Sequence, residues 1–127
     1  MRNVIKADNA PEAIGPYSAA IETDTFVFTS GQLGIDPQSG EIIAGGIISE
    51  THQAIKNLKE VLKSAGSDLE LVVKTTVFMK DIQEFQAMNS VYAEYFKENP
   101  PARSAFQVAA LPKNASVEIE AVALKNQ

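Results

Sequence analysis

The chain has 127 residues, 45% hydrophobic and 21% charged, which suits one folded domain, expected to span 1–127 and to bury roughly two-thirds of its unfolded surface. Its net charge is -5 and its Lys and Arg residues are scattered, so the basic stripe that neutralises phosphates is missing and nucleic acid is not an expected partner. Cysteine is absent, which excludes disulfides, thiolate nucleophiles and Cys-ligated metals.

The amino-terminal stretch "MRNVIKADNAPEAIG" lacks the apolar core of a signal sequence, and no stretch is long enough to span a bilayer. The expected address is cytoplasmic. "NVIKA" and "TFVFTSGQLG" read as short strands, the second stopped by Gly31 and Gly34, and "DPQSGEI" reads as a turn. A first helix follows, with Ile48, Ile55, Leu58, Leu62 and Ala65 at helical spacing, Ser49 as N-cap and Gly66 just past its end. In "LELVVKTTVFMK" the set Val73, Thr75, Val77, Met79 alternates with Val72, Lys74, Thr76, Phe78. Both sets are largely apolar or β-branched, which predicts an interior strand covered on both faces.

Asp81 and Glu84 resemble a capping box ahead of a second helix whose stripe is Phe85, Met88, Tyr92 and Tyr95, ending before Pro100. "RSAFQVAAL" and "SVEIEAVAL" read as two strands joined by "PKNA", a spacing that predicts an antiparallel hairpin. The order β-β-α-β-α-β-β predicts an α+β fold with two helices on one face of the sheet. The other face needs cover, and a second copy of the chain is the expected source.

Most familiar chemistry is excluded. The single histidine, His52, reads as a solvent-facing helix residue with no second histidine to complete a metal site. Without cysteine the zinc deaminase signature cannot be met. The glycines spell neither G-x-G-x-x-G nor a P-loop. Acid, base and hydrogen-bond chemistry remains, with no metal or cofactor expected.

On a strand, Glu118 and Glu120 point away from Val117, Ile119, Ala121 and Ala123, and towards the side of Val122 and Leu124. That pattern fits a solvated sheet rim as well as a paired acid site. Arg103 is either a surface ion-pair partner or, fixed behind Pro100 and Pro101, a fork for bidentate capture of a carboxylate. Tyr17 follows a Gly-Pro turn, and Ser30 and Gly31 sit where a strand ends. Packing and turn formation account for these three when each is taken singly.

"PARSAFQVAAL", "PKNAS" and "VEI" resemble the signature of the RidA family of reactive-intermediate (enamine/imine) deaminases. "NAPEAIGPYSAA", "FTSGQLG" and "VKTTVFMKDIQEFQAMNSVYAEYF" resemble that family's other blocks in the same order, so the resemblance covers nearly the whole chain. It implies a chorismate-mutase-like α+β fold (bacillus type) on a mixed sheet, assembled as a trimeric barrel with sites between neighbouring copies. The implied activity is hydrolysis of 2-enamino and 2-imino acids, such as 2-aminoacrylate and 2-iminopropionate, to 2-keto acids and ammonia. The implied setting is amino-acid metabolism, where pyridoxal-phosphate dehydratases release these species.

Carried over by the same resemblance, Arg103 binds the substrate carboxylate, and Glu118 activates water and handles protons. Tyr17 and Ser30 line the cleft, Gly31 and the backbone at Ala105 supply hydrogen bonds, and Asn89 and Pro112 shape it. Many members have cysteine where this chain has Ala105, so no thiol role is open here. A non-catalytic trimer that binds small carboxylates and regulates a partner is the alternative reading, and RNA cleavage with translation inhibition is a third.

Overall fold

In the computed structural model, which describes residues 1–126, one sheet carries both helices on the same face. The strands are β1 (Asn3–Ile5), β2 (Ala20–Glu22), β3 (Phe26–Thr29), β4 (Gln32–Leu33), β5 (Val72–Met79), β6 (Ala102–Gln107) and β7 (Val117–Leu124). The helices are α1 (Gly46–Ser64) and α2 (Phe85–Tyr95). The sheet runs β1-β2-β3-β7-β5-β6, with β4 also on β7. All pairs are antiparallel except β5 with β6, so the sheet is mixed and the expected α+β class holds.

The predicted hairpin between the last two strands does not form. A helix between two strands returns the chain to its starting end, so β5-α2-β6 makes a parallel pair. β7 then enters on the other side of β5, between it and β3. "PKNA" becomes a 3-10 turn with Lys113 and Asn114 at φ of 57° and 55°. A further strand, β2, went unread in the sequence; it makes a hairpin with β3 through a turn tied by Thr23, whose N–H donates to the Phe26 carbonyl at 2.8 Å.

α1 starts one turn earlier than the sequence suggested. Its N-cap is Gly45 at φ 117°, a backbone state that only glycine adopts without strain. Ser49 is therefore inside the helix, with its Oγ over Gly45 where a Cβ would sit. Of the predicted stripe, Ile55, Leu58, Leu62 and Ala65 are buried as expected, joined by Ala54 and Val61, while Ile48 is exposed and Ile47 takes its place in the core. Gly66 past the other end has φ 73°, as its predicted role requires. Asp81 caps a 3-10 turn by accepting from Gln83 N at 2.9 Å, and α2 proper begins only at Phe85.

The core joins Ile55, Leu58 and Leu62 of α1 and Met88 and Tyr92 of α2 to Val27, Val77, Met79, Val117 and Ile119 of the sheet. Each large aliphatic side chain removed from water here contributes roughly 1.5–3 kcal/mol. A bulge between Val72 and Lys74 breaks the strict alternation predicted for β5, burying Val72 and exposing Val73. Beyond it Thr75, Val77 and Met79 face the helices, whereas Lys74, Thr76 and Phe78 are only half-buried on the opposite face. That open face also carries exposed Phe26, Phe28, Phe106 and Leu124. No helix of the described residues is long and apolar enough to cross a membrane.

His52 is also not the free surface residue its sequence context suggested. Its Nδ1 shares a 2.7 Å hydrogen bond with the Tyr95 hydroxyl, and the two rings meet edge-on at 5.6 Å. It joins α1 to α2.

Candidate active site

The candidate side chains fall into two separate groups, and the alternation of the strands decides which residue belongs to which. On β7, Val117 and Ile119 are buried under the helices, so Glu118 and Glu120 project to the open face. There they line a cleft of about 490 Å³, whose other walls include Tyr17, Ser30, Gly31 and Pro112. Glu12, Gln32, Leu33 and Ile35 complete much of the lining, and among the described residues no Lys, Arg or His is part of it.

Gly31 is a glycine because Glu118 lies against it. A Cβ there would stand 2.7 Å from the Glu118 carboxyl carbon and one carboxyl oxygen. The contact holds the carboxyl half-buried at the cleft wall. Burial pushes the Glu118 carboxyl above the usual carboxylate range, and the neighbouring Glu120 charge adds to the rise. Gly31→Ala is expected to displace this flexible carboxyl at little cost to the fold. Stability should change by no more than about 0.5 kcal/mol in chemical denaturation, while the Glu118 carboxyl leaves its place against Gly31.

The Ser30 hydroxyl donates to the Ser18 carbonyl at 2.6 Å, and Ser30 N–H donates to the Ala19 carbonyl at 2.9 Å. These bonds fasten the end of β3 to the segment that carries Tyr17. The Tyr17 hydroxyl in turn accepts from Ile14 N at 3.3 Å, so this segment makes its own compact turn over the cleft.

Arg103 lies on the other side of the sheet. β6 pairs Thr75 with Arg103 and Val77 with Ala105, which puts both on the helix face at the sheet edge. The Arg103 Nη1 donates to Asn89 Oδ1 at 2.7 Å. Its Cζ stands 4.8 Å from the Tyr92 ring centroid and 5.4 Å from that of Phe85. Tyr92 is itself fixed by a 2.7 Å hydrogen bond shared with Thr75 Oγ1. Burial raises the Tyr92 phenol above its ordinary pKa, an effect that the Thr75 bond and the Arg103 charge oppose, so it stays a neutral ring beneath the guanidinium. One nitrogen of the fork is engaged by Asn89, leaving donors for an anion. The prolines only deliver the chain to β6; strand pairing, Asn89 and two rings fix the arginine.

The site residues expected from the sequence therefore divide. Tyr17, Ser30, Gly31, Pro112 and Glu118 meet at the cleft, whereas Arg103, Asn89 and Ala105 meet at the β6 edge, with β5 between the two groups. Reading the sequence missed Phe85 and Tyr92 as contacts of Arg103, and it missed Asn57. Buried Asn57 donates to the Leu33 and Ile35 carbonyls at 3.0 and 2.9 Å and accepts from Gln53 at 2.9 Å, bracing the cleft wall from α1. An asparagine amid the apolar stripe of α1 was the available signal.

Comparison with known proteins matches this arrangement to a family. A family model described as Endoribonuclease L-PSP matches residues 7–125. A human protein named 2-iminobutanoate/2-iminopropanoate deaminase is 53% identical over 125 residues, covering 98% of this chain and 91% of that protein. The structure of a Thermotoga maritima protein described as a putative endoribonuclease superposes with TM-score 0.95 at 45% identity, covering 100% of both chains. That of E. coli TdcF with bound serine superposes with TM-score 0.93 at 38% identity, over 98% of this chain and 99% of that one. With a match across almost its whole length, the chain belongs to the Endoribonuclease L-PSP family, the RidA family that its sequence motifs resemble.

Proposed function

We propose that this protein hydrolyses 2-imino acids and their enamine tautomers to 2-keto acids and ammonia, as the name of its human relative indicates for that protein. The observation that carries the reading is Glu118: a half-buried carboxyl of raised pKa, held against Gly31 in a cleft without cations. Raising a carboxyl's pKa brings its acid and base forms closer to balance at neutral pH, which suits proton exchange. The serine bound by TdcF supports a site sized for a small amino acid or its imine.

In this reading Glu118 first gives its proton to the imine nitrogen. Its carboxylate then takes a proton from water as the water oxygen bonds to the carbon, giving a carbinolamine. That proton passes on to the amine. The carbinolamine hydroxyl returns a proton to Glu118 as the carbonyl forms and the C–N bond breaks, releasing ammonia and restoring the acid. Arg103, oriented by Asn89, holds the substrate carboxylate and fixes the reacting carbon. Tyr17, Ser30, Gly31 and the backbone at Ala105 line the pocket.

The same reading assembles the chain as a homotrimer whose sites lie between copies. Arg103 and Glu118 project from opposite faces of one sheet, so an Arg103 from one copy opposite a Glu118 from the next would complete the pocket. The exposed aromatic residues of the open face support that packing. Cytoplasmic location, and a supply of substrate from pyridoxal-phosphate dehydratases, complete the proposal. RNA cleavage, which the family description suggests, is less well supported, because three glutamates line the cleft and one arginine per pocket is no basic tract for a phosphodiester backbone.

The test generates the imine in place with a serine or threonine dehydratase and follows formation of the 2-keto acid. Added protein is expected to accelerate that formation. A rate equal to spontaneous hydrolysis would overturn the assignment.

A further inference from the structure

Glu118 does not stand alone on its strand face. Glu120, two residues along β7, projects to the same side, roughly 7 Å away by strand geometry, and lines the same cleft. Glu118 lies opposite Phe78 of β5 and Leu33 of β4, and Glu120 lies opposite Thr76 of β5. None of these neighbours carries a compensating charge.

Within one copy the remaining charged and titratable groups on this side are few; in the proposed trimer Arg103 of the next copy also faces Glu118 and opposes the rise, an effect common to wild type and both Glu120 variants. From the segment before β2, Glu12 and the Tyr17 phenol reach the cleft; β4 and the loop after it add none to its lining. On the open face of β5 the one cation is Lys74, opposite Val122, and its Nζ is engaged by Ser104 Oγ at 3.0 Å. A carboxylate that shares a partly desolvated site with a second carboxyl disfavours ionisation of that second group.

We propose that Glu120 is a positioning residue for catalysis, acting through Glu118: its negative charge keeps a proton on Glu118, ready for transfer to the imine nitrogen. This rests on Glu118 being the proton carrier of the deaminase reading. Glu120 itself touches no reacting atom in this scheme. It sets the pH up to which Glu118 remains an acid, which is a different task from shaping or bracing the cleft.

The test compares wild type, Glu120→Gln and Glu120→Asp. The side-chain carboxyl of Glu118 is titrated by carbon-13 NMR, and kcat/KM for imine hydrolysis is followed against pH. Glu120→Gln keeps the shape and removes the charge, so the Glu118 midpoint is expected to fall. The pH at which activity is lost should fall with it by the same amount, while KM at low pH stays unchanged. Glu120→Asp restores a charge and should bring both midpoints back towards wild type. An unmoved Glu118 midpoint in a folded Glu120→Gln protein would overturn the proposal, as would failure of Glu120→Asp to restore it. If the protein lacks deaminase activity, the NMR titration alone still decides whether Glu120 governs the Glu118 proton.

Discussion

Replacing Arg103 with alanine is expected to lower kcat/KM for 2-imino acid hydrolysis by between roughly 30- and 1,000-fold, mostly through KM. Removing one partner of a partly enclosed, charge-assisted pair costs about 2–4 kcal/mol, and each 1.36 kcal/mol is tenfold. Its guanidinium is held by Asn89 and stacked beside Tyr92 and Phe85 before any substrate arrives. That ordering lowers the entropy lost on binding. Arg103→Lys should recover only part of the loss, because an ammonium has neither the planar fork nor the same stacking on rings. Initial rates over a range of imine concentrations check this. An alanine variant with wild-type KM and kcat would remove Arg103 from the account.

Replacing Glu118 with glutamine is expected to act on kcat instead. General acid–base transfer contributes roughly 100- to 10,000-fold, and the amide can neither give nor take the proton. KM should change little, since the carboxylate anchor is intact. The same substitution has a stability consequence of determinate sign. The folded-state pKa of Glu118 is raised, first by burial and then by Glu120. A raised carboxyl favours the fold below its unfolded pKa, and that contribution is lost as pH rises through the folded value. Above that folded value the native chain holds a carboxylate in an unfavourable place. Glu118→Gln should melt at a higher temperature than wild type near pH 8, and the difference should vanish near pH 4. Thermal melts at both values measure it; a variant less stable than wild type at pH 8 would contradict the burial argument.

Local pattern made much of this legible. The alternation of "VEIEAVAL" put Glu118 and Glu120 on one face of β7, and the structure has them there. Both helices, Gly66 at the end of α1, and the interior position of β5 also follow from local signals. Pairing partners were another matter. Whether β6 meets β7 or β5 depends on contacts distant in sequence, and the short "PKNA" connection pointed to the wrong neighbour. That error hid the main fact about the site, since the faces of Arg103 and Glu118 are related only through their registers with β5. The Arg103 bond to Asn89 was hidden for the same reason, because it needs β6 seated beneath α2. Position 31 shows the converse: its glycine was visible as a strand end, but only the packed structure shows a carboxyl lying where a Cβ would be.

The central claim is that Arg103 and Glu118 act together although one chain carries them on opposite faces. It is tested most directly by mixing two impaired proteins at an imine concentration well below the KM of either. Arg103→Ala and Glu118→Gln chains are unfolded together in equal amounts, refolded, and assayed for 2-keto acid formation from imine generated in place. If each site joins the arginine of one copy to the glutamate of another, random assembly gives about one quarter of the sites both native residues. The mixture should then recover about one quarter of the wild-type rate. A mixture no more active than the two variants refolded separately would contradict the account.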